Sequence, residues 1–367
     1  MKIGVDAREV KPNGAGKGRY ASEVLKSLTK LDEKNEYFLY GFGRHTGLPP
    51  NFHWVTLPQG SGRWIFALPR LIRKNKINVF FSPTSFLACL LTFVPTVIVV
   101  HDLAVFVEPR AKPSFKTKLM EKSTLLLAIR RAKHIICDSN HTKKDVLKMF
   151  NVSEDKITVI HLAAFSKPKN IVGPKTITSK YNLPKRYILF VGTIEPRKNI
   201  EGLVKAYSLF PRAFRQAIPL VIVGKRGWNF ENVDQMVEQL GLKNNVRFIG
   251  FIPDSELPGL YQSAGVVVYP SWYEGFGLPV LEAMSYGTPV ITSNRSSLPE
   301  VVGDAAILIN PEKPQEIAQA IKKVLSDSKF REILCHKGLQ RAKEFSWVKT
   351  AATTLSVLLK VARRELK

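Results

Sequence analysis

Short apolar runs alternating with longer stretches of helical periodicity constrain this chain more than any other feature of its sequence. They occupy residues 2–6, 37–40, 54–57, 79–82, 97–100, 134–137 and 157–160. A second series follows at 187–191, 220–223, 246–249, 266–269, 289–292 and 306–309. Strands that recur between helices belong to α/β folds with parallel sheets, which excludes a sandwich or a bundle. Two series predict two doubly wound sheets, and 367 residues are indeed more than one hydrophobic core usually organises. Between the series, residues 167–175 carry Pro, Gly and Lys without apolar periodicity and place a boundary near 165–182. The expected organisation is an N-terminal domain over 1–170, a linker over 171–182, a second domain over 183–345 and a closing amphipathic helix over 346–367. In that helix Trp347, Ala351, Leu355, Leu358, Leu359 and Val361 recur at helical spacing.

Residues 77–100 contain no charge, and these 24 residues are long enough to raise the question of a membrane span. Pro83 and Pro95, with Asn78, Ser82, Thr84 and Ser85, argue instead for two strands buried on both faces and separated by a loop. Three scattered cysteines, Cys89, Cys137 and Cys335, form neither a disulfide framework nor a zinc motif, and they fit a reducing compartment. Charges at Lys2, Asp6, Arg8 and Glu9 leave no room for the apolar core of a signal peptide, so the expected location is the cytoplasm.

Charge is the unusual part of the composition. Lys and Arg number 55 against 30 Asp and Glu, a formal +25, and residues 1–180 hold 30 of the basic residues and 13 of the acidic ones. Such a field attracts nucleotides, lipid surfaces or nucleic acid. A nucleic-acid binder would show a helix-turn-helix, an aromatic RNA-binding signature or a continuous basic stripe, and the sequence has none of them. Arg63, Arg70, Arg73, Lys74 and Lys76 interleave with Trp64, Ile65, Phe66, Leu68, Leu71 and Ile72. That pattern reads either as a basic amphipathic helix docking on an anionic membrane or as a helix packed on the sheet with a cationic outer face.

Two stretches carry candidate chemistry. Directly after the run 266–269 comes Pro270-Ser271-Trp272-Tyr273-Glu274-Gly275-Phe276-Gly277-Leu278-Pro279, leading into Glu282. The glycines let backbone amides approach a ligand, Pro279 suits a first helical turn, and amides at a helix start attract an anion. Glu274 and Glu282 flank those amides and suit sugar hydroxyls. The second stretch, Gly192-Thr193-Ile194-Glu195-Pro196-Arg197-Lys198-Asn199, sits at the carboxyl end of the run 187–191, the edge where open parallel sheets bind ligands. Arg197 and Lys198 suit a diphosphate, one as a fork and the other as a point charge, with Asn199 as the cap of the next helix. His101, ending a buried strand, reads either as a satisfied core residue or as a group at the same kind of edge, with Asp102 orienting it or capping the loop. Ser139 and Asn140, after the run 134–137, read either as lining a cleft or, the better fit, as the cap of the helix that carries Lys143 and Lys144.

The E-x7-E segment, the 192–199 loop and the spacing between them resemble the retaining glycosyltransferases of family 4, which have the GT-B fold. Asn13-Gly14-Ala15-Gly16-Lys17-Gly18-Arg19-Tyr20 is similar to the family's glycine loop, His101-Asp102-Leu103 to a later motif and Phe345-Ser346-Trp347 to its final helix, so the resemblance covers nearly the whole chain. It implies two Rossmann-like domains facing each other across a cleft, with the closing helix packing back on the N-terminal domain. It assigns Glu282 to the nucleotide ribose. Glu274, with the amides of Phe276, Gly277 and Leu278, is assigned to the transferred sugar and its phosphate, and Lys198 to the diphosphate. Gly192 and Thr193 lie where many members have glycine followed by arginine, so Thr193 is a departure for which Arg197 compensates. His101 is implied to face the donor sugar, and Gly16, Gly18 and Arg19 the acceptor and phosphates.

The activity implied is transfer of a hexose from a nucleotide diphosphate sugar to a glycan or lipid-linked glycan, with the anomeric configuration retained; the basic stretch 63–76 adds the expectation of an enzyme peripheral on the cytoplasmic face of the membrane. The form of the 192–199 loop resembles members that use GDP-mannose. No D-x-D occurs in the chain, so no cofactor and no metal are expected. A sugar-nucleotide epimerase or a phosphorylase on the same fold is the rival reading.

Overall fold

Both series of apolar runs fold as strands in a computed structural model that describes residues 1–10, 16–60, 62–111, 115–166, 168, 170–228 and 230–364. Asn13, Gly14 and Ala15 of the glycine loop, and Lys167 and Lys169 of the Pro/Gly/Lys stretch, lie outside the described residues. The chain divides into a first unit of Met1–Phe106, Pro113–Leu162 and Ser346–Lys367, and a second of Val107–Lys112 and Ala163–Phe345.

In the first unit the strands are β1 (Lys2–Asp6), β2 (Glu36–Gly41), β3 (Phe52–Thr56), β4 (Val79–Ser82), β5 (Thr96–Val100), β6 (His134–Cys137) and β7 (Ile157–Val159). They pair in parallel in the order β3-β2-β1-β4-β5-β6-β7, and the winding reverses between β1 and β4. Strands β4, β5 and β6 are buried at every position, as expected of parallel strands covered on both faces. Leu68 and Ile72 of helix Arg63–Lys74 pack with Tyr40, Leu57 and Phe80. Leu125, Ala128 and Ile129 of helix Phe115–Arg131 pack with Ile98, Val100 and Ile135. Helix Trp347–Arg364 packs against helix Lys17–Leu31, where the Trp347 and Tyr20 rings lie 6.1 Å apart and Thr350 Oγ1 donates to His161 O at 2.7 Å.

The uncharged stretch 77–100 supplies β4 and β5, but the connection expected as a loop holds helix Phe86–Leu90, because Ala88 and Cys89 find a buried face to fill. Among the described residues no helix is long and apolar enough to cross a membrane.

Six parallel strands form the second sheet: β8 (Ile188–Val191), β9 (Leu220–Val223), β10 (Val246–Gly250), β11 (Val266–Tyr269), β12 (Val290–Ser293) and β13 (Ile307–Ile309). Their order is β10-β9-β8-β11-β12-β13, with the reversal between β8 and β11. Val107–Lys112 joins this unit, where the Arg110 guanidinium lies 3.8 Å from the Trp272 ring centroid. The stretch 171–182, expected as a linker, contains helix Pro174–Lys180. It packs on helix Leu257–Ser263 through the buried Ile177, and Lys180 and Tyr181 both donate to Glu256, at 2.7 and 2.6 Å. One buried side chain in a short helix is too little to register as periodicity.

Candidate active site

Strands β8 and β11 are neighbours at the reversal point of the second sheet, and the crevice outside their carboxyl ends is where such sheets bind ligands. Each strand ends in a loop and then a helix. After β8, Pro196–Lys198 form one 3-10 turn and Asn199 takes a left-handed conformation. Its Oδ1 caps helix Ile200–Ser208 by accepting from Gly202 N at 3.2 Å, the cap expected from the sequence. After β11, Gly277 adopts φ 106°, and a Cβ there would lie 2.7 Å from Leu298 Cδ2, so the turn into helix Leu278–Ser285 requires glycine. Ser297 Oγ shares its one proton between the carbonyls of Glu274 and Phe276, at 2.9 and 3.0 Å, and Ser296 Oγ accepts from Glu274 N, which fixes the loop's path.

The two loops meet. Trp272 N donates to Arg197 O at 2.9 Å. Lys198 Nζ donates to Glu274 Oε1 at 2.7 Å, to Oε2 at 2.9 Å and to the Tyr269 hydroxyl at 2.8 Å. Arg197 donates from one terminal nitrogen to Tyr273 O at 2.7 Å and to Glu274 Oε2 at 3.2 Å, and from the other to Glu195 Oε1 at 2.7 Å. Lys198 and Glu274 are 8% and 6% exposed. Burial opposes ionisation of the Glu274 carboxyl, yet Lys198 and Arg197 together more than offset it and hold its pKa at about 2. Burial and the neighbouring Arg197 pull the Lys198 ammonium below its ordinary value, against the pull of Glu274 and Glu195. Burial, with Glu274 nearby, pushes the Tyr269 phenol well up, so it keeps its proton and serves as a neutral partner for the ammonium.

Glu282 lies apart from this cluster, on helix Leu278–Ser285, where its Oε2 accepts from the Tyr261 hydroxyl at 3.0 Å. Phe276 is buried edge-on to Phe345, Leu278 is half-buried, and Thr193 at the end of β8 is exposed. Gly192 N donates to Val223 O, tying this loop to β9.

In the first unit, β5 and β6 run in parallel with Val100 beside Cys137, so the residues that follow them, His101 and Asp138, emerge side by side. The imidazole Nδ1 lies 2.7 Å from Asp138 Oδ2, and Nε2 lies 2.8 Å from Pro83 O. Asp138, not Asp102, orients the ring; Asp102 Oδ1 accepts from Ala104 N and caps its own loop. Ser139 accepts from Thr142 N and caps helix Asn140–Met149, as expected. Gly16 precedes helix Lys17–Leu31, its carbonyl accepting from the amides of Arg19 and Tyr20. A Cβ on Gly18 would lie 2.5 Å from Glu9 O, so that residue must also be glycine. Helix Arg63–Lys74 buries Leu68 and Ile72 and exposes Arg63, Phe66, Arg70, Arg73 and Lys74; Lys76 falls outside it, in a left-handed conformation. Among the described residues no group of three His, Cys, Asp or Glu side chains is placed to hold a metal ion.

Residues 16–163 match the family described as Glycosyltransferase Family 4, and residues 175–341 match Glycosyl transferases group 1. The O-antigen chain mannosyltransferase B of Escherichia coli is 35% identical over 379 residues, covering 97% of this chain and 99% of that protein. The chain belongs to glycosyltransferase family 4. Its fold is that of sucrose-phosphate synthase from Thermosynechococcus elongatus, with a TM-score of 0.81 at 20% identity over 98% of this chain and 99% of that one. It is also that of Anabaena HepE, solved with UDP and glucose, with a TM-score of 0.76 at 20% identity over 98% and 100%.

Of the residues singled out in the sequence of this glycosyltransferase, Arg197, Lys198 and Glu274 converge on one cluster, with Phe276, Gly277 and Leu278 on the adjoining loop. Glu282 keeps a separate partner, and His101, Gly16, Gly18 and Arg19 belong to the other unit. Sequence reasoning missed Tyr269, Tyr261 and Asp138 and gave Glu195 no role. A tyrosine closing a run of valines was the signal for Tyr269, and an acid directly after a buried strand was the signal for Asp138.

Proposed function

We propose that this glycosyltransferase moves mannose from GDP-mannose to a hydroxyl of a glycan or lipid-linked glycan in cell-surface polysaccharide assembly, retaining the anomeric configuration and using no metal. The observation that carries the reading is the buried cluster of Lys198, Arg197 and Glu274 at the carboxyl ends of β8 and β11. The name of the E. coli relative supports mannose and a polysaccharide product, and the UDP and glucose of HepE support a nucleotide and a sugar as the occupants of the site.

The barrier is departure of the nucleoside diphosphate. Lys198 and Arg197, with the amides of residues 276–278, offer fixed positive charge to the oxygen that leaves, the task a divalent ion performs elsewhere. The C1–O bond to phosphate breaks with its electron pair going to the diphosphate. The acceptor oxygen bonds C1 from the same face, and its proton passes to the departing phosphate oxygen. Glu274, ionised because its pKa is about 2, stabilises positive charge on the sugar. A double displacement would need a second carboxyl poised as an acid, and Glu195 is committed to Arg197. Glu282 takes the ribose hydroxyls, Gly192 and Thr193 line the donor loop, His101 serves the sugar, and Gly16, Gly18 and Arg19 serve the acceptor side.

A screen of purified protein against UDP, GDP and ADP sugars tests the donor. GDP-mannose is expected to turn over with α configuration in the product and no loss of rate in EDTA. Exclusive use of another nucleotide, inversion, loss of rate in EDTA, or conversion to an epimeric nucleotide sugar without an acceptor would each overturn the corresponding part.

The acceptor side is read as peripheral on the cytoplasmic face of the membrane. Arg63, Arg70, Arg73 and Lys74 are exposed on the same helix as Phe66, which is 70% exposed, and the exposed Phe93 ring lies 5.9 Å from the guanidinium groups of both Arg73 and Arg131. Cations around exposed aromatic rings suit anionic lipid. Sedimentation with acidic liposomes at low salt is expected to pull down the protein and to weaken on Phe66→Ser with Arg70→Glu; absence of binding by the unaltered protein would remove the membrane from the reading.

A further inference from the structure

His101 is held from three sides. Nε2 faces the Pro83 carbonyl, which only accepts, so Nε2 carries a hydrogen. Nδ1 and Asp138 Oδ2, 2.7 Å apart, share one further proton. On nitrogen it makes an imidazolium and a carboxylate, on oxygen an imidazole and a carboxylic acid, and the pair is uncharged overall in both forms. The Tyr20 ring packs edge-on against the imidazole at 4.9 Å. Asp138 is 2% exposed, and its Oδ1 has no hydrogen-bond partner among the described residues, so the bond to His101 is what offsets the cost of burying this carboxyl. Asp102, next in the chain after His101, turns its carboxylate to Ala104 N and does not bond the ring, while its charge adds to the burial that disfavours ionisation of Asp138.

We propose that Asp138 is the positioning residue of His101: with the Pro83 carbonyl it fixes the orientation of the imidazole and keeps it as the Nε2–H form, so that His101 meets the donor sugar as a fixed polar ring and not as a proton-transfer group. The proposal rests on the reading that His101 serves the donor. It fits the assignment of the departing phosphate as the base, because both ring nitrogens are already engaged.

Asp138→Ala frees the ring, whereas Asp138→Asn lets the carboxamide N–H donate to Nδ1 and holds the same tautomer. Hydrolysis of GDP-mannose by the full chain is expected to lose about 10- to 100-fold in kcat in Asp138→Ala, the range for removing a partner that orients a functional histidine. Donor KM should stay unchanged, and Asp138→Asn should recover most of the rate. Histidine-selective 15N labelling is expected to show His101 as one fixed Nε2–H form in the unaltered protein and in Asp138→Asn. This arm needs neither turnover nor a foldable alanine variant. A normal rate in Asp138→Ala beside a slow His101→Ala overturns the proposal and leaves the role of His101 standing. A normal rate in His101→Ala overturns that role and the proposal with it. Asp138→Asn as slow as Asp138→Ala, or tautomer averaging of His101 in the unaltered protein, overturns the proposal. Failure of the unaltered protein to use GDP-mannose removes the donor assignment, and the labelling then decides the dyad alone.

Discussion

The two sheets place buried carboxyls at equivalent edges and hold them in opposite ways. At the edge of the second sheet, Glu274 meets an ammonium and a guanidinium, which together bring eight N–H donors to the cluster. At the edge of the first, Asp138 meets one imidazole whose two nitrogens are both spent. Burial pushes both carboxyls toward their neutral form. Two cations overcome it for Glu274, which is held at about 2, whereas the single imidazole does not for Asp138, which stays above the ordinary carboxyl range. The difference teaches that surplus donors, and not burial or charge alone, decide whether a buried polar cluster can exchange partners. On the proposed reading a diphosphate takes over donors from Glu274, but nothing can take over from Asp138 without orphaning it.

The largest expected effect separates the two edges by activity. Lys198→Ala and Glu274→Ala should each lower the rate of donor hydrolysis by about a thousandfold, the scale of a lost transition-state charge partner. That exceeds the loss expected at Asp138; near-normal rates in either folded variant would break the contrast. Stability comes next. Glu274→Ala leaves Lys198 buried without its carboxylate and should cost about 3–5 kcal/mol in urea unfolding, whereas the double variant with Lys198→Ala should cost clearly less than the sum of the two single changes. Additivity would show that the pair is not coupled.

The pH dependence has opposite signs at the two edges. Glu274 titrates at about 2 when folded against an ordinary 4.5, so its contribution is full above about pH 4.5 and is lost as pH falls through about 2. Asp138 is raised, so its contribution is present below the ordinary carboxyl pKa of 3.8 and is lost as pH rises through the folded value. Unfolding free energies measured between pH 2 and 5 should therefore flatten in Glu274→Gln and fall more steeply with acid in Asp138→Asn, and changes of the same sign would refute the distinction. The smallest effect compares the loops. Gly277→Ala meets Leu298 at φ 106° and should cost about 1–3 kcal/mol. Gly16→Ala, at φ 53° and ψ −121° with open space around its Cβ, meets backbone strain alone and should cost about 1–3 kcal/mol, without the clash that Gly277→Ala adds to its own strain.

Strand positions were legible because both-face burial writes itself as unbroken apolar runs, as in Val266–Tyr269 and Thr96–Val100. The charged pair Arg197-Lys198 and the acid Glu274 were legible as residue types beside strand ends. Which of them touch was not, because contact depends on the pairing of β8 with β11 and on turns such as that at Asn199. The same limit hid Asp138. An imidazole and a carboxyl 37 residues apart become neighbours only through the register of β5 on β6, whereas the adjacent Asp102 looked like the natural partner. Helix Pro174–Lys180 escaped because its short length offers one buried apolar residue, Ile177.

Helix Trp347–Arg364 lies far along the chain from the sheet whose unit it completes. On the ribosome the second sheet can assemble as soon as residues up to Phe345 have emerged, while the first unit still lacks the helix that covers Tyr20. Synthesis and completion are therefore crossed along these residues: the first unit, begun before the second, gains the helix beside Tyr20 only after the second sheet has been made.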